Sequence, residues 1–217
     1  VIPAAASFYS MLKYADPRYQ YRLYVLHTDI TIQNQEMLNN IVARFHNASL
    51  TFVNMENRFE DIWEQLNFSG HFSKEVLYKL LVASIFPQYD KIIITDVDVV
   101  FCGDIAPSYI EMNENLPVCF AGVHQICPKG TWLDSYYDNY KVHFNKDARA
   151  QLKVCGGYLV ANLRYLRESK REEKFLRYLS ANAYRLLQSE QDVINFCCDD
   201  SEIAYLPLNN VVCSYMY

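Results

Sequence analysis

Apolar positions along the chain repeat with two different spacings. Ile32, Met37, Leu38, Ile41, Val42 and Phe45 recur at the 3.6-residue spacing of a helix, so Thr31 to Phe45 is expected to be helical. Ala4 to Tyr14 carries small and aromatic residues on one face and runs into Asp16-Pro17, which ends a second helix. Ser73 is a plausible N-cap for a helix from Lys74 to Phe86, with Pro87 as its stop. Short apolar runs predict strands at Tyr21 to Leu26, Leu50 to Met55, Lys91 to Phe101, Val118 to Val123, Gly156 to Asn162 and Ala204 to Leu206. Arg164 to Leu187 reads as helices, and Gln191 to Phe196 as the start of another. Strands alternating with helices argue an α/β fold with a mostly parallel central sheet flanked by helices on both faces. Gln125 to Ala150 is polar and aromatic with little periodicity, and reads as a long active-site loop or an insertion.

Composition narrows the function classes. The 217 residues fit one large α/β domain, and half of them are apolar, enough for a full core. A net charge of −5 without a basic block argues against nucleic acid and against an anionic membrane surface. No apolar run reaches the roughly 20 residues needed to span a bilayer. Val1 to Ala6 is apolar but lacks a charged leader, so no signal peptide is expected. Seven scattered cysteines without a CxxC indicate free thiols and a reducing compartment, hence a cytoplasmic location. Asn47-Ala48-Ser49 and Asn67-Phe68-Ser69 match the glycosylation pattern, which is common by chance. The eighteen tyrosines and twelve phenylalanines fit a Tyr-rich core, and also a cleft that stacks sugars.

The chemistry is concentrated in Ile92-Ile93-Ile94-Thr95-Asp96-Val97-Asp98. An apolar β-branched run of this kind reads as a central, doubly covered strand. Two carboxylates at its carboxyl end are costly to bury unpaired. On an extended chain, i and i+2 side chains share one side. Such acids repel one another, and a divalent cation relieves the repulsion; hard oxygen ligands select Mg²⁺, Mn²⁺ or Ca²⁺ over zinc. Ligands in open α/β sheets bind at strand carboxyl ends, where this pair falls.

Several segments, taken in order, are similar to glycosyltransferase family 8, the retaining enzymes with a GT-A fold. Ser73-Lys74-Glu75-Val76-Leu77-Tyr78-Lys79-Leu80 resembles the helix before the family's metal strand, and Phe86-Pro87-Gln88-Tyr89-Asp90-Lys91-Ile92-Ile93-Ile94-Thr95-Asp96-Val97-Asp98 resembles its "lP..dkvlYLDsD" stretch. Gly103-Asp104-Ile105 follows as "gDl" does, Cys155 to Leu163 resembles "NaGvlliNl", and Glu190 to Asn195 resembles "DQDvlN". These pieces cover most of the chain. The resemblance implies a Rossmann-like GT-A domain over residues 1–217, without the family's first strand or its C-terminal HxxGxxKPW segment. It implies a nucleotide sugar, usually a UDP-hexose, as donor, Mn²⁺ (or Mg²⁺) as cofactor, and a saccharide or lipid-linked saccharide as acceptor, a role compatible with a membrane-peripheral place in bacterial surface-polysaccharide assembly.

By position, Asp96 and Asp98 are implied to hold the metal, Asp98 binding the donor diphosphate through it and Asp96 also counted as donor-binding. Gln191 is implied near the anomeric carbon, with Glu190 and Asp192 shaping the pocket. Lys79, His124, Cys155, Gly156 and Gly157 are implied as donor-binding. Glycine permits close backbone approach. Three positions depart from the family pattern. Lys79 stands for Arg, Cys155 for Asn, and His124 for an acid. Outside these segments, His143 is a candidate contact to metal or acceptor, Trp132 a candidate stacking ring, and Trp63 a core residue; Lys129 and Lys153 read as solvated charges. Two other readings fit the same residues. One is an inverting GT-A enzyme or a nucleotidyltransferase; the other is a degenerate, non-catalytic domain that binds a nucleotide sugar or a protein.

Overall fold

In the computed structural model, residues 1–56, 58, 60, 74–125, 130, 134, 138, 152–183, 186 and 188–207 are described. Their elements run α1 (Ile2–Lys13), β1 (Tyr21–His27), α2 (Ile32–Val42), β2 (Ala48–Asn54), α3 (Lys74–Leu77), a 3₁₀ turn (Tyr78–Leu81), α4 (Val82–Ile85), β3 (Lys91–Thr95), α5 (Ala106–Glu111), β4 (Phe120–His124), β5 (Val154–Asn162), α6 (Leu163–Glu168), α7 (Arg171–Asn182), α8 (Ser189–Cys197), a second 3₁₀ turn (Asp200–Glu202) and β6 (Ile203–Leu206). The chain divides into two compact units, Val1–Glu60 with Thr95–Glu111, and Asp61–Ile94 with Met112–Tyr217.

In the first unit, β1 and β2 pair in parallel from Tyr21 opposite Ala48 to His27 opposite Asn54. Parallel strands need a crossover, and α2 supplies it. Thr31 caps α2 by accepting the Asn34 amide at 3.3 Å, while Leu38 and Val42 point inward. The segment after Asp98 is tied to the rest of this unit by part-buried polar contacts. The Phe101 amide donates to Ser10 Oγ at 3.0 Å. The Tyr21 hydroxyl donates to Asp104 at 2.7 Å and accepts the Asp16 amide at 3.0 Å. Burial, then the Asp104 carboxylate, push the Tyr21 phenol well above its ordinary range.

The second unit holds a four-stranded sheet in the order β3-β5-β4-β6. β4 pairs with β6 in parallel and with β5 antiparallel, so the expected parallel character is interrupted by β5. Val154, Leu159, Val160 and Ala161 of β5 are all but inaccessible, the signature of a strand covered on both faces. Phe120 of β4 stacks on Phe175 of α7 with ring centroids 6.2 Å apart. Asn162 closes β5 and opens α6: its Oδ1 accepts the Tyr165 amide at 3.0 Å, and its Nδ2 donates to the carbonyls of Glu114 and Leu116.

Three sequence expectations need correction. The helix expected over Lys74 to Phe86 is broken by a 3₁₀ turn. All four residues of that turn are buried, including Lys79, which a helix with one inward face cannot achieve. The Glu172 carboxylate takes the amides of Ala83 and Ser84 at 2.7 and 3.1 Å and restarts the helix as α4. The strand expected to Phe101 stops at Thr95, and Val97-Asp98 form a turn. Val97 and Val100 are exposed there, so their branched side chains marked no covered strand. Lys153 is buried rather than solvated, and its Nζ donates to Asn195 O at 2.6 Å. Asn47 is 4% exposed and donates to the carbonyls of Asp16 and Tyr19, so it is closed to a glycan. Ser73, Asn67, Trp63, Lys129, Trp132, His143 and most of the expected loop lie outside the described residues.

The Phe120–Phe175 pair sits at the centre of the second unit, and both rings are fully buried. Phe175→Ala is expected to lower stability by about 3–5 kcal/mol in urea unfolding. A loss under about 1 kcal/mol would show that the surrounding helices collapse into the space.

Candidate active site

The first turn of α8 presents Ser189-Glu190-Gln191-Asp192, and none of the four is more than 9% exposed. Buried polar side chains need partners, and here the partners come from β5, the 3₁₀ turn and the residue after β4. The Gly156 amide of β5 donates to Gln191 Oε1 at 2.7 Å. Lys79 Nζ donates to the Gly156 carbonyl at 3.0 Å and to Glu190 Oε1 at 2.8 Å. Gln191 Nε2 donates to Gln125 Oε1 at 2.6 Å and to Gln188 Oε1. Asp192, fully buried, accepts the Gln188 amide through Oδ2 at 2.8 Å and so ties the entry of the helix to its first turn. Acids at this end also meet the positive pole of the helix.

Further along α8, Asn195 Oδ1 accepts the amides of Lys153 and Val154 at 3.0 and 3.1 Å. The helix is thereby fastened to the beginning of β5 at two places, Gly156 and Val154. Ser189 enters the helix with a φ of 45°, in the left-handed region that costs a non-glycine residue energy. A Cβ on Gly156 would lie 3.2 Å from Gln191 Oε1 and 3.3 Å from Glu190 Oε1. A side chain at this position would press on both, because α8 side chains pack directly against the Gly156 backbone.

The structure therefore brings together Lys79, Gly156, Glu190, Gln191 and Asp192 among the residues singled out in the sequence. Cys155 and Gly157 flank Gly156 on β5, the first buried and the second half-buried. His124 ends β4 with its ring edge against Tyr205, centroids 5.2 Å apart, and is exposed. Burial, then Asp200, raise the Tyr205 phenol above its ordinary value. Gln125 and Gln188 were not singled out: Gln188, two residues before the acid-amide-acid motif, could have been found by its nearness to it, whereas Gln125, one residue past a strand, carries no such signal.

The sequence profile described as Glycosyl transferase family 8 matches residues 1–216. The chain belongs to this family. Solved structures agree in fold. The chain is 13% identical to mouse xyloside xylosyltransferase 1 over 99% of its own length and 83% of that chain, with a TM-score of 0.73. It is 22% identical to the bifunctional glycosyltransferase WbbM over 95% of its length, TM-score 0.68, and spans only 36% of WbbM. It is 16% identical to the galactosyltransferase LgtC, solved with donor and acceptor sugar analogues, over 94% of its length and 68% of that chain, TM-score 0.67. At these identities the likeness is one of fold, the GT-A fold of glycosyltransferases. No curated protein sequence matches the chain.

In this family 8 chain, Asp96 and Asp98 lie directly after β3, Asp96 half-buried and Asp98 exposed. Among the described residues, no group of three or more His, Cys, Asp or Glu side chains is placed to hold a metal. Two carboxylates suit Mg²⁺ or Mn²⁺ of the kind that completes its shell with water and phosphate oxygens. The donor set therefore fits an ion bound jointly with a diphosphate.

The Lys79–Glu190 ion pair is nearly enclosed, each side chain 10% exposed. Lys79→Met strands the Glu190 charge and is expected to cost about 3–5 kcal/mol in urea unfolding. Adding Glu190→Gln to that variant should recover more than half of the loss. Strictly additive losses would mean that the two side chains are not coupled.

Proposed function

We propose that this glycosyltransferase moves a hexose from a UDP-hexose to the hydroxyl of a saccharide or lipid-linked saccharide acceptor, with retention of configuration and with Mn²⁺ or Mg²⁺ as cofactor. The observation that carries the reading is the buried turn Glu190-Gln191-Asp192, held against the Gly156 backbone on a family 8 fold. A polar turn fixed this firmly is preorganised, and preorganised dipoles stabilise developing charge without rearranging.

In this reading Asp96 and Asp98 hold the divalent ion, which supplies positive charge to the departing diphosphate. Gln191 lies against the anomeric carbon as it gains oxocarbenium character. Its amide oxygen already accepts the Gly156 N–H, and an amide is a weak nucleophile, so a double displacement through Gln191 is disfavoured. The acceptor oxygen instead attacks on the face the diphosphate leaves. The bond from the anomeric carbon to phosphate oxygen breaks, the bond to the acceptor oxygen forms, and the acceptor proton passes to the leaving group. Glu190, its charge offset by Lys79, and Asp192 shape the pocket around the sugar. His124, Cys155 and Gly157 contribute to donor binding.

Asp96→Asn together with Asp98→Asn should abolish metal-dependent hydrolysis of UDP-glucose, UDP-galactose or their N-acetyl forms. Mn²⁺ with UDP should raise the thermal midpoint of the unaltered chain and leave that of the double variant unmoved. Unchanged turnover in the double variant refutes the assignment. A product of inverted anomeric configuration refutes retention, and a chain that binds UDP without hydrolysing any donor supports the non-catalytic reading.

A further inference from the structure

The polarity of the amide chain around Gln191 is set by a single backbone group. The Gly156 N–H can only donate, so the atom 2.7 Å from it is the Gln191 oxygen. The Gln191 NH₂ then faces the other way, and the two atoms it meets, on Gln125 and Gln188, must be oxygens. Both of its hydrogens have acceptors, and its oxygen has a donor. The plane of this amide is determined on both edges, and reversing it would set like against like at three contacts. Gln188 precedes α8 in the chain and moves with it. Gln125 comes from a different element: it follows β4, is 2% exposed, and is held by its own amide, which donates to Lys153 O at 3.2 Å. It is a fixed reference point outside the helix.

We propose that Gln125 is a positioning residue for Gln191, acting through the acceptor oxygen of its side chain. This inference rests on the proposed function in giving Gln191 a place at the reacting centre. Without the Gln125 oxygen, the Gln191 NH₂ keeps only the acceptor on its own helix. The amide plane then loses one of its three contacts, and its NH₂ edge is held only by a residue that moves with α8, so its orientation against Gly156 is less firmly set. The requirement is for an acceptor at this point and not for an amide, so a carboxylate meets it and a thioether of the same length does not.

The test compares Gln125→Met and Gln125→Glu in the full chain, by NMR and by kinetics. In ¹⁵N-labelled protein, Gln125→Met should shift the Gly156 backbone amide and the Gln191 side-chain NH₂, the latter identified by its loss in Gln191→Met; Gln125→Glu should restore the Gly156 shift. In donor turnover, Gln125→Met should lower kcat by about ten-fold or more, the usual order for a misplaced reacting group. KM for the UDP-hexose should stay within about two-fold, since ground-state binding is not what is lost. Gln125→Glu should return most of kcat. Resonances that do not move in Gln125→Met overturn the inference whatever the activity. Shifted resonances with unaltered kcat overturn it as well. If the unaltered chain turns over no donor, the proposed function fails, and the resonances alone then decide whether Gln125 orients Gln191.

Discussion

Burying the first turn of α8 is the constraint from which the second unit takes its form. Three neighbouring side chains there are a carboxylate, an amide and another carboxylate, and each is removed from water. An isolated ion or amide in such a place is costly. Much of the cost is met by Lys79, Gln125 and the peptide of Gly156, from separated parts of the chain, and by Gln188 at the mouth of the helix. Gly156 is used at both ends of its backbone, donating to Gln191 and accepting from Lys79. Lys79 lies in the 3₁₀ turn before β3, within a run from Leu77 to Ala83 that is buried throughout, so this segment is covered on every side.

The first unit solves a different problem, that of holding a turn bearing two acids without burying them. Its anchors stand downstream. Phe101 is fixed through Ser10, and Asp104 through the Tyr21 hydroxyl while it also accepts the Ala106 amide at the start of α5. The stretch from Thr95 to Phe101 thus runs from the end of a strand to part-buried hydrogen bonds.

Much of this architecture was legible in the sequence. The periodic and alternating segments became helices and strands within two or three residues of their expected bounds. The exceptions are instructive. Ile92 to Ile94 is strand, but Val97, Val99 and Val100 have the same side-chain character and are not, because hydropathy does not say whether another element covers a run. Lys153 reads as a surface charge until Asn195, forty-two positions on, supplies its acceptor. In the site, the residues of Glu190 to Asp192 were recognisable as a motif, and Lys79 and Gly156 as parts of others. That Gln125 joins them was not, since a single glutamine after a strand carries no local signal. Its role exists only in three dimensions.

The departures from the family pattern bear on whether the site is decayed or adapted. Arginine offers a planar fork suited to bidentate partners, whereas lysine offers donors spread around one nitrogen. The partners here are a peptide carbonyl and a single carboxylate oxygen, at 3.0 and 2.8 Å, converging on one point from different elements. That geometry suits an ammonium. The acid it meets is Glu190, where the resembling motif begins with the shorter aspartate, and the extra methylene extends the carboxylate toward a more compact cation. The two changes are complementary, and the resulting pair is buried and hydrogen-bonded. The two positions lie 111 residues apart in the chain, and a matched, buried pair between them supports the proposed function.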